Sequence, residues 1–470
     1  MNHPGIFWVL PLLVVVTSPA SEQWTRFRGP NGSGVDSSSG YPVEFSPSKN
    51  VLWKISTPYG QSSPIVAGSR VFFTASEGDQ LLTICVDAHT GRELWRREIH
   101  RERTAKSFRA NDPASPTPAA DESGVYVFFP DFGLVSYTLE GKERWRVPLG
   151  PFENFYGMAA SPVVAGDLVV QVCDQQKGSF VIALERTTGR QRWKTERPGA
   201  TIGWATPAVF RPTNDPPELI MLGSASLESF YLATGERHWW RPIASQGGLG
   251  VPVVHGDTIL VSTLGSTEPL LPDFDSTLAQ YDKDKDGRLS AREFADFPDI
   301  AEHFGWIDAN HDGFIDRQEW NAARATGLGE FGAVAFRPGS AQGQLGADAV
   351  VWRFQKNLPY IAAPLVYHNV YYMVRSGGIV TTLDPANGQL LKQGRTPEAL
   401  GAYYASPVAA DDKVFLASEE GKMTVLKAAP QWEVLGVNDL GEEIHATPAL
   451  SEGRIFVRTR SNLYCFGGSR

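Results

Sequence analysis

SPVVAGDLVVQVCDQQKGSFVIALERTTGRQRW, residues 161–193, is the stretch of sequence that decides the fold. It begins with a serine and a proline, continues as a short β run to the turn Gly166-Asp167, and then alternates two apolar segments with turns before it ends at Trp193. Short valine-rich segments bounded by glycine and aspartate are typical of strands joined by tight turns. The stretch therefore predicts one four-stranded antiparallel sheet.

The same pattern recurs along nearly the whole chain. A residue followed by proline opens each copy, and the eight prolines are separated by 52, 46, 45, 45, 112, 43 and 41 residues. In the first four copies a glycine is followed four residues later by a tryptophan. A fixed period with fixed anchor residues indicates a repeat fold. The opening pairs are Ser63-Pro64, Ser115-Pro116, Ser161-Pro162, Thr206-Pro207, Val251-Pro252, Ala363-Pro364, Ser406-Pro407 and Thr447-Pro448.

These repeats predict an all-β fold, an eight-bladed β-propeller of four-stranded antiparallel blades over residues 51–470. Each blade of such a fold buries its faces against two neighbours, which suits a repeat of about 40 to 45 residues that contains only strands. Helical solenoids have a similar period but need apolar residues at helical spacing. Period-two runs such as Arg70 to Thr74 exclude them.

The two ends of the chain are predicted to share one blade. The last copy, from Thr447 to Gly467, has no tryptophan strand of its own, whereas Trp53 lies before the first proline. We expect the strand Val51 to Ile55 to pair with Leu463 to Phe466, because this closes the ring and removes two free sheet edges.

Composition limits the possible partners and the compartment. The 46 glycines and 33 prolines suit a turn-rich all-β protein, and the net charge of −9 argues against nucleic acid or an anionic membrane surface as partner. Residues 1–20 predict a signal peptide, apolar from Ile6 to Val16 and ending in Ser18-Pro19-Ala20. An uncleaved anchor is the alternative, but the apolar core is too short to span a bilayer comfortably. We expect a periplasmic or extracellular protein with no membrane span after cleavage.

An N-terminal leader, residues 21–50, carries the motif WTRFRGPNGSGV from Trp24 to Val35. Together with Trp53 and the repeat ending DAHTGRELW, from Asp87 to Trp95, this motif resembles the extracytoplasmic bacterial proteins with pyrroloquinoline-quinone (PQQ)-like β-propeller repeats. The resemblance covers essentially all of the mature chain. The family includes quinoprotein dehydrogenases and the propeller subunit of the outer-membrane β-barrel assembly machine, so the repeat implies the fold and leaves the activity open.

Two loops in the long fifth unit match the EF-hand pattern of calcium sites. YDKDKDGRLSAREF and IDANHDGFIDRQEW place oxygen-bearing residues at loop positions 1, 3, 5, 9 and 12, a glycine at position 6 and a main-chain carbonyl at position 7. A solvated acidic loop is the alternative, but two complete loops argue against it. The predicted ligands of two calcium ions are Asp282, Asp284, Asp286, Arg288, Ser290 and Glu293, then Asp308, Asn310, Asp312, Phe314, Asp316 and Glu319.

The EF-hand pair, residues 265–330, is predicted to interrupt blade five between its second and third strands. We expect those strands near Thr258 to Thr263 and Gly332 to Phe336. In an up-and-down blade this loop lies on the same face as the connections between blades. The sequence therefore predicts that the pair forms a lid or rim beside the mouth of the central channel.

The connections between blades carry polar and aromatic residues that are predicted to converge at this mouth. Such convergence in a concave surface is typical of a ligand site. The alternative is that these side chains only fill and cap the channel. The expected pocket residues are Arg109, Asp112, Tyr156, Trp204, Tyr360, Tyr404 and His445.

The cysteines bear on catalysis. The resemblance implies that PQQ in the dehydrogenases lies between a tryptophan and a disulfide of adjacent cysteines, near calcium and an aspartate base. Here Cys85, Cys173 and Cys465 are far apart in sequence, and no haem-attachment motif is present. This argues against PQQ and against an enzyme, and no catalytic residue is assigned. Cys85 and Cys465 occupy equivalent strand positions, which permits either a disulfide or two small buried side chains.

We therefore expect a secreted or periplasmic calcium-binding β-propeller that acts as a binding or scaffold module for an unidentified protein or carbohydrate ligand at the channel mouth. Two alternatives stay open. One is a quinoprotein-type oxidoreductase that uses PQQ. The other is an outer-membrane protein assembly factor, although that subunit is typically lipid-anchored and no cysteine directly follows the expected cleavage point.

Overall fold

The computed structural model describes residues 23–101, 103–104, 111–200, 202–245, 249–266, 268–269, 271–295, 298–325 and 328–468. The expected signal peptide, residues 1–20, lies outside the described residues. Within the described part of the chain, no helix is both long enough and apolar enough to cross a membrane.

The strands of the described residues form eight antiparallel blades, which confirms the eight-bladed β-propeller. Blades one to four comprise Ile65–Ala67, Arg70–Glu77, Gln80–Asp87 and Glu93–His100; Ala119–Ala120, Val125–Phe129, Gly133–Tyr137 and Glu143–Pro148; Val163–Ala165, Leu168–Cys173, Phe180–Glu185 and Gln191–Glu196; and Ala208–Phe210, Glu218–Leu222, Ser226–Tyr231 and Arg237–Pro242. Blades five to eight comprise Val253–His255, Thr258–Thr263, Gly332–Phe336 and Val350–Phe354; Leu365–Tyr367, Val370–Arg375, Ile379–Leu383 and Leu390–Arg395; Val408–Ala410, Lys413–Ala417, Lys422–Lys427 and Glu433–Asp439; and Ala449–Ser451, Arg454–Arg458, Asn462–Gly467 and Val51–Ser56.

The N-terminal strand closes the ring, as the sequence predicts. Val51–Ser56 is the outer strand of blade eight and runs antiparallel to Asn462–Gly467. Val51 pairs with Phe466 and Ile55 pairs with Leu463. Because both ends of the chain belong to one sheet, the ring cannot open without breaking the ladder between these two strands.

The recurring tryptophans and glycines contact each other across the gaps between blades. The indole N–H of Trp95 in blade one donates to the carbonyl of Leu139 in blade two at 2.9 Å. A Cβ on Gly141 would lie 2.6 Å from the same ring, so only glycine allows this close approach. The sequence repeat thus encodes an interface between neighbouring blades. The same contact joins Trp53 to Gly91, Trp145 to Gly189, Trp193 to Gly235 and Trp352 to Gly388.

Trp239 is an exception among the repeat tryptophans. Its indole N–H donates to the Glu218 carboxylate at 3.0 Å, within its own blade. The third and fourth strands of blade five are joined by residues 337–349 rather than by a tight glycine turn, so blade five offers no matching glycine. Part of that segment, Gly343–Gln344, pairs in parallel with the outer strand of blade four instead.

Blades six and seven also depart from the pattern, at the positions where the repeat is degenerate. Lys392 replaces the tryptophan, and its Nζ lies 4.2 Å from the centroid of the Trp432 ring. A Cβ on Gly394 would lie 3.0 Å from that ring. A cation over an aromatic ring therefore takes the place of the indole contact between these two blades.

Three helices of the described chain lie between the second and third strands of blade five. They are α1 (Phe274–Tyr281), α2 (Pro298–Ile307) and α3 (Arg317–Ala325). Two short strands, Leu289–Ser290 and Phe314–Ile315, pair antiparallel between the helices. The segment has its own apolar core, in which the rings of Phe294 and Trp320 stack at 6.2 Å.

The leader runs inside the central channel. Its main chain accepts hydrogen bonds from Val66 in blade one and Ala120 in blade two, at 2.8 and 2.7 Å. The Asn31 amide makes two hydrogen bonds of 2.8 Å with the main chain of Val209 in blade four. Val35 forms a bridge with Ala409 in blade seven. The leader therefore bonds to the main chain at the inner edges of four blades and lies across the channel.

The three cysteines are buried free thiols. Cys85 pairs across its sheet with Trp95, and Cys465 pairs with Trp53, so each thiol lies beside a blade tryptophan. This arrangement corresponds to the second alternative drawn from the sequence, two small buried strand residues.

Candidate functional site: a pocket at the channel mouth

A cavity of about 460 Å³ lies on the propeller axis above the leader. Five residues expected at the channel mouth line it: Tyr156, Trp204, Tyr360, Tyr404 and His445. They come from loops that are far apart in sequence, and ring closure brings them to one concave surface.

The other two expected pocket residues are not seen on the cavity. Arg109 lies outside the described residues. Asp112 is 7% exposed and is not among the described residues that line the cavity. Its carboxylate accepts a hydrogen bond of 2.6 Å from the Ala114 N–H, and burial raises the pKa of Asp112. Asp112 therefore stabilises a local turn behind the pocket wall.

A ring of hydroxyl groups surrounds the cavity. The residue before the proline that precedes strand one lines the cavity in each blade, and in six blades it is serine or threonine. Each of these hydroxyls accepts a hydrogen bond from the main-chain N–H of the same position in the preceding blade, at 2.9 to 3.0 Å. This hydroxyl ring consists of Ser63, Thr117, Ser161, Thr206, Ser406 and Thr447.

The hydroxyl ring is interrupted where Val251 and Ala363 occupy the equivalent positions, because neither side chain can accept a hydrogen bond. The structure also corrects the opening of the second repeat. The residue equivalent to Ser63 is Thr117, which bonds Ser63 and Ser161, rather than Ser115. The sequence S-P-T-P contains two candidate pairs, and only the register of the strands distinguishes them. The signal for the ring was present in the sequence, as the residue before each repeat proline.

Aromatic side chains form the walls. The rings of Tyr404 and His445 stack, with centroids 5.1 Å apart and planes 5° apart. Tyr156 packs edge-on against Trp204 at 5.7 Å, and the Trp204 indole donates to the carbonyl of Gly157 at 2.6 Å. Tyr360 is 55% exposed at the rim. Flat apolar faces are therefore presented to any molecule that enters.

The leader forms the floor of the cavity. Phe27 lines it, and the flanking Arg26 and Arg28 are buried. Their guanidinium groups each donate, at 2.6 Å, to the carbonyl of Pro207 and Pro364 respectively. Sequence reasoning missed these three residues, because the leader carries no periodic signal that places it on the axis.

Helix α2 of the blade-five insertion overhangs the opening. His303 and Trp306 of this helix line the cavity. The Gln176 amide, in blade three, donates to the carbonyl of Gly305 at 3.2 Å. The insertion therefore spans from blade five to blade three across the mouth.

In each of the two acidic loops of the insertion, main-chain N–H groups donate to the carboxylate of the glutamate at loop position 12. Glu293 accepts hydrogen bonds from the N–H groups of Lys283 and Ser290, both at 2.7 Å. In this first loop, carboxylate oxygens of Asp282, Asp284 and Glu293 lie within 4.8 Å of one another. Such a cluster could hold one cation.

The second loop has the same geometry. Glu319 accepts from the N–H groups of Asn310 and Asp316, at 3.1 and 3.0 Å. Asp308 is buried, and its Oδ1 has no hydrogen-bond partner among the described residues. A buried carboxylate oxygen without a hydrogen-bond partner at loop position 1 is suited to coordinate a cation. The donor set in both loops is all oxygen, as hard divalent cations require.

The residues of the cavity do not fit PQQ as the family resemblance implies it. The cofactor is a tricarboxylate, yet the described residues that line the cavity include no lysine or arginine. The three cysteines lie within blade strands, and none of them lines the cavity. No chemical step through PQQ is therefore derived for this protein.

Comparisons with known proteins agree with the geometry. The family model described as outer membrane protein assembly factor BamB matches residues 43–211 and 223–467. No curated protein matches the chain. Among solved structures, BamB from Moraxella catarrhalis is 11% identical, with a TM-score of 0.56 over 89% of this chain and 98% of that one.

Two further structures have the same architecture. The quinohemoprotein alcohol dehydrogenase from Comamonas testosteroni is 12% identical, with a TM-score of 0.59 over 96% of this chain and 81% of that one. The computationally designed Ika8 protein is 9% identical, with a TM-score of 0.53 over 91% of this chain and 100% of that one. At these identities the likenesses show the fold alone. Because the family model matches most of the chain, this protein belongs to the BamB-type family of PQQ-repeat β-propellers.

Proposed function

We propose that this protein is a secreted or periplasmic calcium-binding β-propeller that acts as a binding module, with its ligand in the pocket at the channel mouth. One observation carries the proposal. The axial cavity, closed below by the leader, combines aromatic walls with a ring of hydroxyl groups, and a concave site with apolar walls and convergent polar groups is typical of small-molecule sites.

The proposal is a binding module rather than an oxidoreductase because the cavity lacks the groups that the resemblance implies for PQQ. A test is to incubate the protein with PQQ and calcium, remove free cofactor by gel filtration, and record the absorbance. We expect no quinone to elute with the protein. Stoichiometric retention, together with alcohol-dependent reduction of a dye, would contradict the binding-module proposal and favour the oxidoreductase.

Ligand binding at the pocket is tested with labelled protein on arrays of oligosaccharides and peptides. The comparison is between wild type and the double variant Trp204→Ala/Tyr404→Ala, which removes two aromatic walls. Leu435→Ala is the control, because Leu435 is exposed on the outer strand of blade seven. We expect the signal of a true ligand to fall in the double variant only. If every signal is unaffected, the pocket is not the binding site.

Calcium is proposed to bind both acidic loops. Eight of the predicted ligand positions from Asp282 to Glu319 carry acidic side chains, and without cations these repel one another. Extracellular EF-hand sites bind calcium at about 10⁻⁴ to 10⁻³ M, so both sites would be filled outside the cell. Helix α2 lies between the loops, and we propose that bound calcium holds it as a lid over the pocket.

The double variant Glu293→Gln/Glu319→Gln tests calcium binding. It removes one bidentate carboxylate charge from each loop while keeping the shape of the side chain. By titration calorimetry we expect wild type to bind two ions at millimolar calcium and the variant to bind none. Circular dichroism should show the same β signal for both, because the insertion has its own core. Absence of heat with wild type would contradict the calcium sites, and global unfolding of the variant would contradict a separate module.

A further inference from the structure

The axial cavity has an uncharged lining. Aspartate, glutamate, lysine and arginine make up 20% of the chain, yet none of them is among the described residues that line the cavity. The leader arginines Arg26 and Arg28 are buried, and each donates to a main-chain carbonyl. A ligand with a full charge would leave water without a counter-charge in the cavity wall, which is costly. The lining therefore favours a neutral ligand.

The cavity wall offers hydrogen-bond donors and acceptors that the protein leaves free. Each of the six hydroxyls of the ring accepts a main-chain N–H. Each also carries one proton to donate, and within the described part of the chain none of the six donates it to an acceptor. The amides of Gln61 and Asn111 donate to the Tyr59 hydroxyl and the Tyr156 carbonyl, and the oxygens of these amides accept no hydrogen bond from the described residues. A neutral ligand that both donates and accepts can therefore use both sets of groups.

Sugar rings present the two kinds of surface that this cavity matches. Their hydroxyl groups donate and accept hydrogen bonds around the edge of the ring, and the C–H groups on each face form a flat apolar patch. Such a patch packs well on an aromatic face, which carries the negative part of the ring quadrupole. Trp204 and the stacked pair of Tyr404 and His445 offer such faces. The wall therefore fits a sugar better than a purely apolar molecule, which would leave the hydroxyl ring unpaired.

The cavity is closed on the side of the leader. Phe27 lies at its floor, and His303 and Trp306 of helix α2 overhang its mouth. A polymer cannot pass through the channel, because the leader lies across it and bonds to the inner edges of four blades. A chain molecule therefore enters this cavity by one of its ends.

Aromatic side chains continue beside the cavity. Tyr360 lies at the rim and is 55% exposed. Tyr59 is 46% exposed, and its hydroxyl accepts from the amide of the cavity residue Gln61 at 3.1 Å. Each of these tyrosines has a free ring face against which one further sugar can pack. The apolar surface therefore extends beyond the space that holds the end of the chain.

The charge near the mouth disfavours an acidic chain. The carboxylate of Glu419 lies 3.7 Å from Nε2 of His445, which lines the cavity. The whole protein has a net charge of −9. An anionic sugar would meet repulsion at the mouth and no cation in the described lining.

We propose that the axial pocket binds the terminal sugar of a neutral glycan chain, and that the following sugars pack against the rim tyrosines. This inference rests on the proposed ligand pocket and names the class of its ligand. The hydroxyl ring and the two amides bond the sugar hydroxyls, and the aromatic walls contact the faces of the ring.

The first test is titration calorimetry of the full chain, in buffer with calcium, with linear trisaccharides of glucose, mannose and galactose. The uronic acid counterpart of each is the matched charged probe. We expect at least one neutral trisaccharide to bind, and its uronic counterpart to bind at least about tenfold more weakly. Equal or tighter binding of the uronic counterpart would overturn the preference for a neutral chain. If no trisaccharide binds, the glycan proposal is wrong.

The second test asks whether the chain enters by its end. The preferred trisaccharide is coupled to a bulky dye at its reducing end or at its non-reducing end. We expect one conjugate to bind like the free sugar and the other to lose binding, which identifies the end that lies in the pocket. Any other result would overturn entry by the chain end.

A conservative variant assigns the polar contacts to a named side chain. Gln61→Met keeps the length of the side chain and removes the amide. We expect the affinity for the preferred trisaccharide to fall about threefold to tenfold. The matched control is Gln389→Met, at an exposed position in the turn between the third and fourth strands of blade six. An equal effect of both substitutions, or of neither, would remove Gln61 from the site.

The rim is tested with Tyr360→Ala, which changes an exposed side chain and leaves the cavity wall in place. We expect a loss of trisaccharide affinity of about threefold to tenfold, because one aromatic contact is removed. Leu435→Ala is again the control. Unchanged affinity in Tyr360→Ala would contradict the extension of the site beyond the cavity.

The glycan proposal and the pocket proposal fail differently. If no trisaccharide binds, but a peptide binds and is lost in Trp204→Ala/Tyr404→Ala, the glycan is overturned and the pocket is supported. Trisaccharide binding that is unchanged in this double variant would overturn both.

Discussion

Replacing Gly141 with alanine tests the contact that joins neighbouring blades. Gly141 has φ of +86°, a left-handed conformation, and a Cβ there would lie 2.6 Å from the Trp95 ring. The ring cannot stay where it is, so its indole N–H moves away from the carbonyl of Leu139, which it reaches at 2.9 Å. The substitution therefore adds backbone strain, overpacking and one lost hydrogen bond.

Gly166→Ala supplies a matched control. Gly166 also has a left-handed φ, +60°, but nothing lies within 4 Å of a Cβ at that position. The control substitution therefore lowers the free energy of unfolding through backbone strain alone, by about 1 to 2 kcal/mol. Overpacking a filled site costs about 1 to 3 kcal/mol, and the hydrogen bond adds about 1 kcal/mol. We expect Gly141→Ala to be less stable than Gly166→Ala by about 2 to 4 kcal/mol.

The assay is urea unfolding followed by circular dichroism, with the free energy of unfolding of each variant compared with wild type. Repeating both substitutions in a Trp95→Ala background completes a double-mutant cycle. Without the ring, Gly141→Ala should lose no more stability than Gly166→Ala. Equal effects of the two substitutions in the Trp95-containing protein would refute the inference that the tryptophan contact joins the blades.

Three further predictions concern single side chains. Thr117→Val should lower the free energy of unfolding by about 1 to 3 kcal/mol in urea titrations, because the buried Ser63 N–H loses its acceptor. Gln176→Leu should speed amide exchange in helix α2 and leave the blades unchanged, because it removes the hydrogen bond to the insertion. For Asp121, burial raises the pKa, but hydrogen bonds, including one from Arg186 at 2.8 Å, outweigh this and hold it below its usual value. Because the pKa of Asp121 is lower in the folded state than in the unfolded state, the ionised carboxylate stabilises the fold at pH values above the unfolded-state pKa. This stabilisation is lost as the pH falls and Asp121 becomes protonated. The difference in the free energy of unfolding between wild type and Asp121→Asn should therefore close below about pH 4.

The geometry of the loops with predicted calcium ligands could be predicted from the local sequence. Spacing alone placed Glu293 and Glu319 at position 12 of their loops, and in the structure each accepts two loop N–H groups. Such loops are defined by residues within twelve positions of one another, so their geometry follows from local order.

The sequence predicts only some of the residues that line the pocket. The sequence predicts Tyr156, Trp204 and Tyr404 because they lie in the connections between blades, which meet at one end of the central channel in a propeller. Trp306 is not predicted, since its place above the pocket depends on how a folded insertion docks on blade three through Gln176. Contacts between elements that are far apart in sequence carry no periodic signal.

The sequence by itself determined the eight blades and the strand that closes them, because the repeated proline, glycine and tryptophan encode strand pairing and contacts between neighbouring blades. Only the tertiary structure decided that Thr117 rather than Ser115 belongs to the ring. It also decided that Arg26 and Arg28 lie beneath that ring. The physical reason is that residues from eight distant segments meet at the central channel only after the ring has closed. The space left between them then determines which side chains of the leader face the cavity.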